Sequence, residues 1–236
     1  MLRSGGFLLL AAALALISPA HAQTAAPANA QPAPSGPLYI LTYFEIAPPS
    51  AGVPVGLLRQ FAAATKKEPG NVEFTALHEI GRPGRFALIE AWRDKAAHDA
   101  HAGAAMNALS EKLQTSFVAP FDARPFWGLS VAKAAGADSA AAVYVLTHVD
   151  VSSAGKDEVA AMVKQLAEDS RKESGALRFD AVVWDGRPNH FHLIEEWSGR
   201  GAREAHILAG HTRQFRAKLV PFEGALYDER LYEPVR

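Results

Sequence analysis

The sequence of 236 residues contains no cysteine and carries almost no net charge. Without cysteine there can be no disulfide bond, thiolate zinc site, cysteine-ligated iron–sulfur cluster or cysteine nucleophile. The 24 basic and 25 acidic residues give a formal net charge of −1, which supplies no strong positive field. Lys66 and Lys67 are followed at once by Glu68, so no local basic cluster compensates, and no nucleic-acid partner is expected. Histidine and carboxylate chemistry remains open.

The first 37 residues resemble an export signal and a tether. Arg3 supplies a positive start, residues 7–17 form an apolar run, and residues 18–22 end in a small-x-small pattern. We therefore predict a signal peptide over residues 1–22, cleaved after Ala22, and a periplasmic or secreted mature protein. The run is too short to span a bilayer and no cysteine follows it, so no stable membrane anchor is expected. Residues 23–37, rich in Ala, Pro and Gln, predict a disordered linker.

The rest of the chain repeats itself at an offset of 105 residues, without a gap over the first 60 or so positions of each copy. Identical pairs include Tyr39 with Tyr144, Lys67-Glu68 with Lys172-Glu173, Gly70 with Gly175, Gly81-Arg82-Pro83 with Gly186-Arg187-Pro188, and His101 with His206. This pattern indicates a tandem duplication. We predict two domains, copy one over residues 38–131 and copy two over residues 142–236, joined by a linker over residues 132–141.

Each copy has the hydrophobic pattern of a β-α-β-β-α-β unit. The predicted strands are 38–46, 72–80, 85–92 and 124–131 in copy one, and 142–151, 177–184, 190–197 and 226–232 in copy two. The predicted helices are 53–67 and 96–113, and 156–172 and 203–219. This element order predicts an α+β fold with two ferredoxin-like sheets, each carrying its helices on one face. The third strand is apolar on both alternations, so the second face of each sheet also needs cover, and we expect the copies to pack sheet to sheet.

A short motif begins at the end of the predicted third strand in both copies. In copy two, Glu195 and Trp197 form Glu-x-Trp, His206 follows nine residues later, His211 five after that, and Phe215 next. Copy one has the equivalent Glu90, Trp92 and His101, but Met106 replaces the second histidine. On this motif and element order, residues 38–233 resemble the antibiotic biosynthesis monooxygenase (ABM) family. The resemblance implies an intramolecular dimeric α+β barrel, with one chain acting as a monomeric internal pseudo-dimer.

The resemblance also implies a function. The family includes cofactor-independent oxygenases acting on quinols and polyketide aromatics, as well as haem-degrading enzymes. We expect an exported monooxygenase that oxidises a small electron-rich aromatic with O2 and no bound cofactor. The alternative is a non-catalytic protein that binds an aromatic ligand or haem. Haem degradation departs from the expected pattern, because neither first strand has an Asn near Thr42 or Thr147.

Each site residue has a catalytic and a structural interpretation. His206 is expected to be the base or phenolate partner, and His211 a second polar contact that reaches it only if the helix breaks near Ala209-Gly210. Trp197 could be a stacking wall or a core residue. For Glu195, which shares a strand face with this Trp, we favour a structural ion pair over acid–base catalysis. The same alternatives hold for His101, Trp92 and Glu90 of copy one, while Phe215 completes the expected pocket.

Copy two is the more polar copy and offers one alternative metal site. His148, His192 and Glu196 replace Tyr43, Ala87 and Ala91 of copy one. Two histidines and a carboxylate could hold Fe²⁺ or zinc. Polar residues at a partly wet sheet interface are the simpler interpretation, so no metal is favoured.

Overall fold

The computed structural model describes residues 36–50, 52–132 and 141–236. The predicted signal peptide, almost all of the first linker and most of the second linker therefore lie outside the described residues. Among the residues described, no helix is long and apolar enough to cross a membrane.

Each copy contains four strands and three helices. Copy one consists of β1 (Leu38–Ile46), α1 (Val53–Thr65), β2 (Asn71–Glu79), β3 (Arg85–Trp92), α2 (Lys95–Ala102), α3 (Ala104–Leu113) and β4 (Phe117–Ser130). Copy two consists of β5 (Val143–Asp150), α4 (Lys156–Ser170), β6 (Ala176–Trp184), β7 (Arg187–Trp197), α5 (Arg200–Leu208), α6 (Gly210–Leu219) and β8 (Asp228–Pro234). Short 3₁₀ turns follow β1, β5 and α6.

The eight strands form one closed antiparallel barrel in the order β1-β3-β2-β8-β5-β7-β6-β4, with β4 returning to β1. Two strand pairings join the copies: β2 pairs with β8, and β4 pairs with β6. The predicted intramolecular α+β barrel is confirmed. Among the described strands, closure between the copies leaves no sheet edge unpaired, which removes the usual route to edge-to-edge association.

Strand alternation separates two kinds of core. Side chains such as Leu41, Ile89, Leu146 and Ile194 point into the barrel lumen and are buried there against the other copy. Their sequence neighbours point outward and are buried beneath the helices of their own copy. The third strand of copy one, β3, is largely apolar on both alternations because both of its faces are covered, as the sequence predicted.

Most predicted boundaries agree with the structure to within three residues, but two features differ. The second helix of each copy is divided in two, at Gly103 in copy one and at Ala209 in copy two. Strand β4 begins seven residues before its predicted start because it pairs with β1 over residues 117–127; its pairing with β6 covers only residues 126–130. Pro120 and Pro125 made this segment look like a loop. Prolines occur in strands at edges and irregularities, and the β1–β4 register shifts near Pro120.

Candidate functional site

A half-buried carboxylate joins the two predicted site histidines of copy two. His206, at the end of α5, places Nδ1 2.6 Å from Oε1 of Glu173, and His211, in the first turn of α6, places Nε2 2.9 Å from the same oxygen. Thr212 Oγ1 lies 3.3 Å from His206 Nδ1. We call Glu173, His206 and His211 the Glu173 trio. Sequence reasoning missed Glu173, although its recurrence as Glu68 was a signal.

The helix break brings the two histidines together. Five residues along an uninterrupted helix would place His211 about 140° around the axis from His206. Ala209 is instead extended, with φ −61° and ψ 145°, and α6 starts afresh at Gly210. The helix therefore breaks at the position that the convergence of His206 and His211 required.

Glu173 fixes the proton on His206. A carboxylate only accepts hydrogen bonds, so Nδ1 of His206 donates to it, and Nε2 of the neutral ring carries the lone pair. Burial lowers the pKa of His206 below its ordinary value, against the opposing hydrogen bond and charge of Glu173. The ring is therefore neutral at pH 7, with Nε2 available to take a proton.

Glu195 lies on the same side of the sheet and is buried. Its Oε2 accepts a hydrogen bond of 2.8 Å from the Trp197 indole, and the Trp197 and His206 ring centroids lie 4.7 Å apart. Burial raises the pKa of Glu195 to about 8, only partly offset by this hydrogen bond. Among the described residues no ion pair with Glu195 is present, so its carboxyl is neutral rather than a member of the structural ion pair we had expected.

Glu195 and His206 open onto one cavity of about 330 Å³. Its other lining residues are Ile207, Thr212, Arg213, Arg216, Tyr227 and Glu229. The Arg216 guanidinium lies 3.6 Å from the Tyr227 ring centroid and 3.7 Å from Glu229 Oε2. Burial raises the pKa of Tyr227, so its hydroxyl stays protonated. The cavity thus combines a neutral base, a neutral carboxylic acid and positive charge, which suits a small polar aromatic molecule.

Two of the predicted lining residues are core residues instead. Trp197 is fully buried behind His206, and Phe215 packs in the core beneath the helices. Neither is among the described residues that line the cavity. Trp197 therefore supports the site by holding Glu195 and His206.

Copy one has the same hydrogen bonds around its histidine, but that histidine is fully buried. His101 Nδ1 lies 2.9 Å from Glu68, and Trp92 donates to Glu90 at 2.9 Å, as in copy two. Burial raises the pKa of Glu90. However, the His101 side chain is fully buried, its Nε2 has no hydrogen bond, and Met106 supplies no second imidazole. A ligand can reach His206 but has no access to His101.

The structure separates Glu196 from the two histidines of the alternative metal site. His148 and His192 face each other across β5 and β7, and Tyr43 of copy one hydrogen-bonds His192 at 2.8 Å. Glu196 is opposite Tyr144, four residues further along β7 than His192. At the usual rise of a strand, this places Glu196 about 13 Å from His192. His148 instead lies with Asp150 and His190. Sequence reasoning missed both, although each is two residues from a predicted histidine.

Comparison with known proteins agrees with this fold. The family described as antibiotic biosynthesis monooxygenase matches residues 37–106 and 142–218, one segment in each repeat. No curated protein matches the sequence. Solved structures that resemble it include a candidate monooxygenase from Fusobacterium nucleatum (TM-score 0.77, 15% identity, covering 86% of this chain and 94% of that one). Another, from Lactobacillus acidophilus, has TM-score 0.72 and 16% identity, covering 86% and 95%. An anthrone oxidase-like protein has TM-score 0.65 and 12% identity, covering 86% and 92%. At these identities the likeness establishes the shared fold.

Proposed function

This chain belongs to the antibiotic biosynthesis monooxygenase family, and from that premise we propose that it is an exported monooxygenase with its active site in copy two. The substrate is a small electron-rich aromatic molecule of the quinol type, O2 is the oxidant, and no cofactor is bound. The observation that carries the proposal is the Glu173 trio: a carboxylate holds, through Nδ1, a neutral histidine that lines a cavity.

The proposed reaction begins with proton transfer. His206 Nε2 takes the proton of a phenolic hydroxyl, and Glu173 stabilises the imidazolium that results. The electron-rich phenolate then reduces O2 directly. One oxygen atom replaces a ring hydrogen and the other leaves as water, so a quinol and O2 give a hydroxyquinone and water. The substrate supplies all four electrons, and no external reductant is needed.

Two further residues support the charges of this reaction. Glu195 lines the cavity with a pKa of about 8, so at pH 7 it can donate a proton to a reduced oxygen atom. Arg213 lines the same cavity and places positive charge where phenolate and reduced oxygen develop negative charge. His211 shares Glu173 with His206 and acts as a positioning residue.

Export is proposed from the sequence of residues 1–22. The supporting features are the positive start, the apolar run and the small-x-small pattern before Gln23. N-terminal sequencing of the protein recovered from the periplasm or medium should begin at Gln23. Recovery of full-length chain from the cytoplasm alone would contradict export.

The test of turnover is O2 uptake by the metal-free protein across a panel of quinols and polyhydroxylated aromatics. We expect uptake with at least one quinol, one ¹⁸O atom from ¹⁸O2 in the product, and a loss of about 10²–10⁴-fold in rate for His206→Ala. Unchanged uptake in that variant would remove His206 from the mechanism. Binding of a quinol or haem without uptake would instead make this chain a ligand-binding protein.

A further inference from the structure

A second cluster of ligand-type side chains lies at one end of the barrel, away from the Glu173 trio. His148 and Asp150 are two residues apart on β5 and share a face of the strand, and His190 of β7 is the direct cross-strand partner of Asp150. The Asp150 Oδ1 lies 3.0 Å from His148 Nε2 and also contacts His190 Nδ1. We call these three residues the Asp150 trio.

The nitrogen–oxygen contacts within the Asp150 trio are short enough for hydrogen bonds but lack the angles of hydrogen bonds. His148 Nε2, Asp150 Oδ1 and His190 Nδ1 are each withdrawn from solvent, and none has a hydrogen-bond partner among the described residues. Buried polar atoms that lack a partner cost free energy. These three atoms all lie within 4.8 Å of one another. A bound cation would satisfy all three at once.

The Glu173 trio differs in this respect. Both of its histidines already hydrogen-bond the Glu173 carboxylate, at 2.6 and 2.9 Å. Its ligand-type atoms are therefore satisfied without an ion, whereas those of the Asp150 trio are not. The geometry thus distinguishes the two clusters, although the donor types are the same.

The equivalent positions in copy one show what copy two has changed. At the offset of 105, Asp150 corresponds to Glu45 and His190 to Arg85. In copy one, Arg85 Nε donates to Glu45 Oε2 at 3.3 Å, an ordinary ion pair. Copy two has kept the carboxylate but replaced the permanent cation with an imidazole. A metal ion would restore the missing positive charge at this carboxylate.

We propose that His148, Asp150 and His190 bind one divalent first-row transition metal ion. Two imidazole nitrogens and one carboxylate oxygen suit Zn²⁺, Fe²⁺ or Co²⁺ better than Mg²⁺ or Ca²⁺, which prefer oxygen ligands. Ligands about 2.1 Å from one ion lie about 3.0–3.4 Å apart, which the His148–Asp150 separation matches, whereas the closer His190–Asp150 contact must open to admit the ion. Three protein ligands leave at least one coordination position open. His148 also lines a separate cavity of about 270 Å³ in the lumen, which gives the ion a route to solvent.

The proposal is tested by titrating the metal-free full chain with Zn²⁺ in a calorimeter and with Co²⁺ as an optical probe. We expect one ion per chain and a visible Co²⁺ absorption band from nitrogen ligation. Asp150→Asn and His190→Ala should each weaken binding at least about tenfold. Asp150→Asn preserves side-chain shape, so it remains informative if His190→Ala does not fold.

Two control variants locate the ion. Glu45→Gln changes the equivalent carboxylate of copy one and should leave metal affinity unchanged. His211→Ala disrupts the Glu173 trio and should also leave it unchanged. Absence of Zn²⁺ and Co²⁺ binding would overturn the proposal, and so would binding lost in His211→Ala but kept in Asp150→Asn. Because the readout is binding rather than turnover, the result is independent of the proposed oxygenase activity.

Discussion

Arg178 joins the two copies inside the barrel, and removing its charge should destabilise the fold. The guanidinium donates to Asp180 at 2.7 Å and, across the lumen, to Glu73 of copy one at 2.6 Å. Glu73 and Arg178 occupy equivalent positions of the duplication. Two identical copies would bring like charges together here, whereas the duplicated chain has diverged to opposite charges. This ion pair therefore favours pairing between two different copies.

The cost of Arg178→Met can be worked from burial. The side chains of Arg178 and Asp180 are only 3% and 1% exposed. Removing one partner of a buried ion pair typically costs about 3–5 kcal/mol, because the other charge is left uncompensated. Asp180 keeps a hydrogen bond from the Ala132 N–H and has Arg171 at 4.0 Å, so we expect the lower end, about 3 kcal/mol.

Urea unfolding monitored by circular dichroism measures this cost. The matched control is Arg230→Met, whose ion pair with Asp228 is 2.6 Å long but 39% and 48% exposed, and which should cost under about 1 kcal/mol. Adding Asp180→Asn to Arg178→Met should recover part of the loss, since the stranded carboxylate is then gone. Equal costs for Arg178→Met and the control, with no recovery in the double variant, would refute the reasoning.

Three further predictions concern the site and its support. Glu195→Gln keeps a hydrogen-bond acceptor for Trp197 but cannot ionise. The stability of the wild-type protein, measured as the urea midpoint, should fall between pH 4.5 and about 8, because over this range Glu195 loses its proton only in the unfolded state. The variant should not show this decline. Gly175→Ala should cost about 2–3 kcal/mol in thermal unfolding, because φ is +84° and the added carbon would lie 2.6 Å from a side chain of α5. The control Gly186→Ala, with φ +76° and open space around it, should cost only about 1–2 kcal/mol. Equal costs would contradict the packing argument. Burial lowers the pKa of His206, so kcat/KM for the quinol should hold through pH 6.5 and fall only below it; an acid limb centred above 6.5 would contradict this assignment.

Most of the fold could be predicted from the sequence because its signals are local. The repeat offset, strand alternation and helix periodicity each depend on a few neighbouring residues. The start of β4 could not, since its prolines suit a loop and only pairing with β1 makes this segment extended.

The site was predicted less completely because it depends on tertiary contacts. His206 and His211 were identified from their spacing, but Glu173 lies 33 residues before His206, in the turn after α4. Only packing of α5 and α6 on the sheet brings the three together. Similarly, the sequence places His148 and His192 on neighbouring strands, but cross-strand register decides which carboxylate lies beside them.

The proposed function requires the active site to lie in copy two, and one pair of variants tests this most directly. His206 and His101 occupy equivalent positions with equivalent carboxylate partners, Glu173 and Glu68, but of the two only His206 lines the cavity of about 330 Å³. We predict that His206→Ala loses quinol-dependent O2 uptake by about 10²-fold or more, whereas folded His101→Ala retains it. Equal loss in both variants, or full uptake in His206→Ala, would contradict the assignment of the active site to copy two.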